Sequence, residues 1–306
     1  DSKGLVTADK FREFCAPTVA LLRYEKSSFF NTETFKGKAE VYNFSNSVLE
    51  NATIKWWLTD TAGSVLQKGM LKKQTIANEN VSPVGEFEIP LKNVRSQKVT
   101  VHLAVNDSIK NSWDIWVYPK HQNLMQSTDK VLYTDVYDDV AKSQLSQGKT
   151  VVLYASPDKI KGRKSLFHNH FWNPIMFAWA PMTIGNLVHH QQAMFKDFLT
   201  SYHTDWQWWD ILNHAKVIEM QDAPQQLRPF IQVIDSYDNN QKLGIGFEAQ
   251  LNGGKLLVMA LDTKTDMDNR PATQQLLYSM DNYVKSAKFS PQVAVDETFI
   301  QSFLIK

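Results

Sequence analysis

Through most of the first 120 residues the apolar side chains recur at every second position, and nothing constrains the fold of this chain more. Val99, Val101, Leu103 and Val105 alternate with Thr100, His102 and Ala104, and Ile54, Trp56 and Leu58 with Thr53, Lys55 and Trp57. Side chains two apart on an extended backbone share a face, so such runs read as half-buried strands of antiparallel sheets. Turn residues separate them at Thr61-Ala62-Gly63-Ser64, Ala77-Asn78-Glu79-Asn80 and Asn106-Asp107-Ser108. Strands are predicted at 19–25, 34–44, 52–59, 65–76, 84–91, 98–105 and 109–118. Seven short strands in about 100 residues predict an immunoglobulin-like β-sandwich over 18–120. Trp56, Trp113 and Trp116 are expected to plug its core, because a single cysteine rules out an internal disulfide pin.

From Lys130 the pattern changes. Val131–Thr134 reads as a strand, and Asp138–Gln147 as a helix closed by Gly148. Thr150–Tyr154 is continuously apolar after its first residue, as a strand covered on both faces is. Strand, helix, glycine and buried strand make a βαβ unit. Further strands are predicted at 230–234, 243–251 and 255–261, the last two joined by a hairpin turn at Asn252-Gly253-Gly254. A helix is predicted over 270–285, with Pro271 in its first turn. The second half is thus expected to be an α/β domain over 130–290, joined to the sandwich by a polar linker at 121–129 and followed by a tail at 291–306.

Charge and composition remove several function classes. The net charge is +1, without the basic excess that phosphate neutralisation needs, so nucleic acid is not an expected partner. The longest apolar runs, at 175–180 and 256–261, are far short of the roughly 20 residues of a membrane-spanning helix. Cys15, the only cysteine, lies outside any strand-to-helix turn and is expected to be a small buried hydrophobe. There is no Gly-x-Ser-x-Gly elbow and no glycine-rich phosphate loop. No paired carboxylates stand in a barrel-like setting. No catalytic residue, cofactor or metal is therefore expected in this chain.

One window carries chemistry. Residues 168–214 hold six of the eight histidines (His168, His170, His189, His190, His203, His214) and five of the nine tryptophans (Trp172, Trp179, Trp206, Trp208, Trp209). A metal reading would combine His168, His170, His203 and Asp205, but no spacing here is diagnostic of zinc. A second reading is a sugar platform, with indole faces on pyranose rings and His203, Asp205, Trp206 and Trp208 as the contacts. The plainer reading is an aromatic-pinned excursion packed on the α/β core.

Longer strings resemble a known family. Residues 1–19 resemble the end of the catalytic barrel in Bacteroidetes-type glycoside hydrolase family 2 (β-galactosidase-like) proteins. The Trp-Asp-Ile-Trp-Val-Tyr-Pro string at 113–119 resembles the close of the module that follows. Further similar strings are Phe-Trp-Asn (171–173), Thr-Ile-Gly (183–185), His-Thr-Asp-Trp-Gln-Trp (203–208), Pro229–Asp235, Leu243–Glu248 and Gly254–Val258. The resemblance implies an immunoglobulin-like module, then a flavodoxin-like domain similar to class I glutamine amidotransferases. It also implies that the catalytic glutamates lie in a preceding barrel, of which 1–17 would be a remnant, and a periplasmic or secreted setting. The start at Asp1, with no signal segment, fits a processed or excised piece. No cysteine follows Cys15, so the amidotransferase nucleophile is missing. His189-His190-Gln191 stands where relatives carry His-Pro.

The function so implied is a non-catalytic accessory region, with its own catalytic barrel or a second subunit as partner. The alternatives are a carbohydrate-binding module and a degenerate amidotransferase-like hydrolase. Within the window, 186–209 is expected to pack on the core through Phe195, Phe198, Trp206 and Trp208. It would present a polar and aromatic edge that includes His189, His190, His203 and Asp205.

Overall fold

A computed structural model describes residues 4–95, 97–167, 183–236 and 239–305. The chain is β-rich, with 41% strand against 17% helix, and forms several separate sheets. It divides into two compact units, Asp1–Lys120 and His121–Lys306. No helix among the described residues is long and apolar enough to cross a membrane.

The first unit opens with a short helix, α1 (Ala8–Arg12), whose N-cap Thr7 accepts the Lys10 amide. Eight strands follow: β1 (Thr18–Arg23), β2 (Ser28–Phe30), β3 (Thr34–Asn43), β4 (Leu49–Thr59), β5 (Val65–Ile76), β6 (Asn80–Pro90), β7 (Gln97–Val105) and β8 (Ile109–Tyr118). They form a three-stranded sheet, β1-β3-β6, and a five-stranded sheet, β2-β8-β7-β4-β5. All pairs are antiparallel except β2 with β8. The alternation decides the faces: Phe35, Ala39 and Val41 of one sheet and Ile54, Leu58, Val101 and Leu103 of the other share one buried cluster. Trp116 is buried, while Trp56 and Trp113 flank the cluster half-buried. Trp56 lies over its cross-strand partner Gly69, where a Cβ would come within 2.5 Å of the indole, and it stacks on Phe87 at 5.0 Å. The extra strand, β2, was hidden because three residues show no period. Cys15 is exposed rather than buried, since the stretch before β1 packs no side chain into the core.

The second unit contains β9 (Val131–Thr134), α2 (Asp139–Ser146), β10 (Thr150–Tyr154), β11 (Thr183–Val188), α3 (Trp208–Asn213), β12 (Ile218–Glu219), β13 (Ile231–Asp235), β14 (Lys242–Gly244), β15 (Gly246–Leu251), β16 (Gly254–Met259), α4 (Pro271–Val284) and α5 (Glu297–Phe303). Its sheets are β15-β16-β10-β9, with β9, β10 and β16 parallel, and an antiparallel β11-β13-β14-β12. The β9-α2-β10 segment has the expected βαβ form, and α2 is capped by the Asp138 carboxylate. The hairpin turn is Asn252-Gly253, both at positive φ (52° and 86°), as a type I′ turn requires.

Three expectations are corrected. The strand predicted over 243–251 is two strands in two different sheets, because the chain crosses at Ile245. There the Gly246 carbonyl accepts the Phe230 amide (2.7 Å), and a Cβ at Gly246 would meet the Met259 sulfur. The 121–129 stretch is not free: the His121 amide donates to Gln274 Oε1 (3.0 Å), and its ring stacks on Tyr278 at 4.0 Å. The 291–306 segment is not a tail, since α5 inserts Phe299, Ile300 and Phe303 into the cluster formed by Val151, Leu153, Phe247 and Val258.

Candidate functional site

The His/Trp window is built outward from α4. The Ser279 hydroxyl donates to the Met194 carbonyl and accepts the Asp197 amide (3.1 Å). Gln275 Nε2 donates to the Asp197 carbonyl, and Asn282 Nδ2 to the Asp197 carboxylate (2.9 Å). These bonds satisfy, with side chains of α4, backbone groups of the 193–197 segment that its single 3-10 turn leaves unpaired. Phe195, Phe198 and Trp208 then meet edge to face, with the two phenyl rings 6.2 and 5.1 Å from the indole. Trp208 is fully buried, and its indole N–H donates to the Thr200 hydroxyl (2.9 Å).

The helix that carries the outer tryptophan is fixed by a buried ion pair. Arg270 is 3% exposed; its Nε donates to Asp210 (2.8 Å), whose carboxylate also accepts the Thr273 hydroxyl (2.7 Å). His214 Nδ1 lies 3.0 Å from the other oxygen of Asp210. Asp210 and His214 thus tie α3 to Arg270 and Thr273 at the start of α4.

On that base stands an exposed aromatic edge. Trp206 is 58% exposed, Trp209 52% and Tyr202 63%, and Leu199 and Leu187 are exposed as well. Trp206 touches Phe167, with ring centroids 5.0 Å apart. The Val188 amide donates to the Tyr202 carbonyl (2.8 Å), and Leu187 bridges to His203, so β11 and the 202–203 segment lie side by side. An open groove of about 570 Å³ is lined by Leu187, His189, His190 and Tyr202, among others. His189 is half-buried, and burial, then the charge of Arg228, holds its pKa below the usual histidine value. It is therefore neutral near pH 7, with one donor and one acceptor nitrogen. The His203 ring is exposed, edge-on to Tyr202 at 4.7 Å, and contacts the Thr204 carbonyl. Asp205 opens the turn into α3, its carbonyl accepting the Trp208 amide and its carboxylate the Gln207 side chain (3.3 Å).

The structure therefore brings His189, His190 and His203 together around Leu187 and Tyr202, and parts Trp206, which is exposed, from Trp208, which is buried. From the sequence, Trp206 and Trp208 are expected to share one role, as sugar contacts or as core packing. The helix instead begins at Trp208, which turns that ring inward and its neighbour Trp209 outward. Likewise Trp206 is exposed, not packed inward as expected. Tyr202 and Trp209 were missed as edge residues; the signal for Trp209 was its place one residue past an indole at a helix start. His168, His170, Trp172 and Trp179 lie outside the described residues, as do Phe171–Asn173. Among the described residues, no three of His, Cys, Asp and Glu cluster closely enough to hold a metal ion.

Two family models match the chain. One, described as a domain of unknown function (DUF8488), covers residues 33–119. The other, also described as a domain of unknown function (DUF8487), covers residues 132–305, more than half of the chain. The chain belongs to the DUF8487 family. The DUF8487 match runs from the second residue of β9 through α5, so the aromatic edge lies inside the family's span. No curated protein matches. Similar solved structures include the Pseudomonas fluorescens alkylpurine DNA glycosylase AlkC bound to DNA (12% identity, TM-score 0.28, 33% of this chain and 30% of that one). A CARDB domain from Pyrococcus furiosus is similar at 7% identity, TM-score 0.27, over 33% of this chain and 86% of that one. Parabacteroides merdae β-glucuronidase is similar at 12% identity, TM-score 0.24, over 45% of this chain and 21% of that one. The chain spans less than a third of the glycosylase and of the glucuronidase, and likenesses this weak carry no argument about fold or activity.

Proposed function

We propose that this chain is a non-catalytic accessory region of a glycoside hydrolase family 2, β-galactosidase-like enzyme of periplasmic or secreted glycan breakdown, and that it contacts its own catalytic barrel or a second subunit. The observation that carries this reading is apolar surface left uncovered on the segment that resembles a barrel end. Leu5 is 79% exposed, and Phe11 and Phe14, in edge contact at 5.3 Å, are 48% and 55% exposed. Exposed apolar side chains mark contact sites where they join into a contiguous patch, and the touching Phe11 and Phe14 rings support such a patch here. The finer fold assignment supports the reading: the strand orders β1-β3-β6 and β2-β8-β7-β4-β5 suit an immunoglobulin-like module. The three parallel strands around β9-α2-β10 suit a flavodoxin-like ancestry with a second, antiparallel sheet added. The test is hydrolysis of a panel of nitrophenyl glycosides by the chain. No turnover is expected, and turnover abolished by changing an acidic residue of 121–306 overturns the reading.

A second reading, a carbohydrate-binding module, is favoured by the half-exposed indoles of Trp206 and Trp209 and by the open groove that His189 and His190 line. Calorimetry with galactosides, glucuronides and plant oligosaccharides decides it. Millimolar or tighter binding that is lost in Trp206→Ala supports it; no binding, or binding unchanged in that variant, removes it.

A further inference from the structure

The loops that leave the carboxyl ends of all three parallel strands meet at one carboxylate, beside a pocket none of whose lining residues belongs to the aromatic edge. Asp135 follows β9 directly, Lys159 lies just beyond β10, and Lys264 lies in the loop after β16. Asp135 Oδ2 accepts from Lys264 Nζ (2.8 Å) and Lys159 Nζ (3.2 Å), so one carboxylate ties the three loops together. Beside it opens a concavity of about 420 Å³, lined by Asp135, Tyr137, Lys142, Lys159, Gln301 and Ile305, among others. That volume falls in the usual range of small-molecule pockets, and the crevice outside the carboxyl ends of parallel strands is where α/β sheets bind ligands.

The lining chemistry is mixed in a specific way. Two ammonium groups reach the pocket. Lys159 is bound to Asp135, and Lys142 lies 3.4 Å from Glu297 and 5.6 Å over the Tyr137 ring. Gln301 and Asp135 supply acceptors, and Gln301 donors as well. Tyr137 adds a hydroxyl whose pKa is raised by burial and then by the neighbouring Glu297 carboxylate, so it stays neutral and can both donate and accept. Val136 and Ile305, 43% and 49% exposed, form an apolar wall. Each ammonium has a carboxylate on one side (Glu297 for Lys142, Asp135 for Lys159) and keeps further N–H donors for a ligand carboxylate; the acceptors suit hydroxyl groups, and the apolar wall suits a small carbon skeleton.

We propose that this pocket binds a small hydroxy acid of about monosaccharide size, with its carboxylate at Lys142 and Lys159 and its hydroxyl groups at Asp135, Tyr137 and Gln301. The proposal does not rest on the accessory-region reading and survives its failure.

The test is a titration of the full chain, labelled with ¹³C at Ile, Leu and Val methyl groups, with D-glucuronate, D-glucose and acetate in turn. Saturable shifts at the methyls of Ile305, Leu304 and Val136 are expected with glucuronate. Glucose, which lacks the carboxylate, and acetate, which lacks the hydroxyls, should each bind about tenfold or more weakly, the weight of one charge-assisted hydrogen bond. Lys159→Gln and Lys142→Gln should each weaken glucuronate by a similar factor with an unchanged circular dichroism spectrum, and Lys130→Gln, outside the pocket, should not. Lys264 still holds Asp135 in Lys159→Gln, so the loops keep their anchor. Absence of saturable shifts with glucuronate, equal binding of glucose or acetate, or full affinity in both lysine variants overturns the proposal.

Discussion

At the scale of single residues, neighbours in sequence part company by which way the backbone turns them. Trp208 is buried under Phe195 and Phe198, while Trp206 and Trp209 stand out. Trp208→Ala should therefore cost about 3–5 kcal/mol, the usual loss for a large aromatic emptied from a core. Trp206→Ala should change stability by no more than about 0.5 kcal/mol. Urea unfolding followed by circular dichroism measures both, and comparable losses would mean that Trp206 is part of the core. In the first unit, His102 is half-buried, stacked on Trp57 at 4.8 Å, with Nε2 2.9 Å from the Thr59 hydroxyl. Burial, the largest influence, holds its pKa below 6.5. The folded state thus binds fewer protons than the unfolded chain, so this residue's contribution is complete above pH 6.5 and is lost as the pH falls through the folded value. Titration of the His102 ring by NMR should give a value below that of a free histidine. His102→Gln should lessen the fall in first-unit stability between neutral pH and about pH 5.

At the scale of elements, α5 shows how little a segment's length says about its weight. Its seven residues place Phe299, Ile300 and Phe303 against Phe247 and the parallel strands. The Ile305 amide and the Phe303 carbonyl pair with Lys159 and Lys161 just beyond β10. Each buried side chain contributes about 1.5–3 kcal/mol, which together approaches the whole stability of an ordinary domain. A chain ending at Val295 should have lost cooperative unfolding of the second unit while keeping that of the first. A truncated protein with both transitions intact would show that α5 merely decorates the surface.

At the scale of the whole molecule, each unit has its own buried cluster, built from its own residues. Residues 121–306 expressed alone should therefore give a single cooperative thermal transition, at the temperature of one of the transitions of the full chain. A piece without cooperative unfolding would mean that its core needs the first unit. The cut belongs before His121, because that residue's ring and amide are bound to α4.

What the sequence determined by itself is local. The period of two placed β3, β4, β5, β7 and β8 within a few residues, because alternation is fixed by the pleat and needs no knowledge of partners. The Asn252-Gly253 turn, the Gly148 stop and the Pro271 start were readable for the same reason: each is a short-range demand of the backbone. The histidines and tryptophans of the edge were visible as a cluster, but not which of them face out, since a single helix start at Trp208 reverses two indoles. Only the tertiary structure decided the passage between sheets at Ile245, the insertion of α5, the Arg270–Asp210 pair across 60 residues of chain, and the meeting of Asp135, Lys159 and Lys264. Those depend on which strands lie side by side, and contacts between residues far apart in sequence leave no period behind.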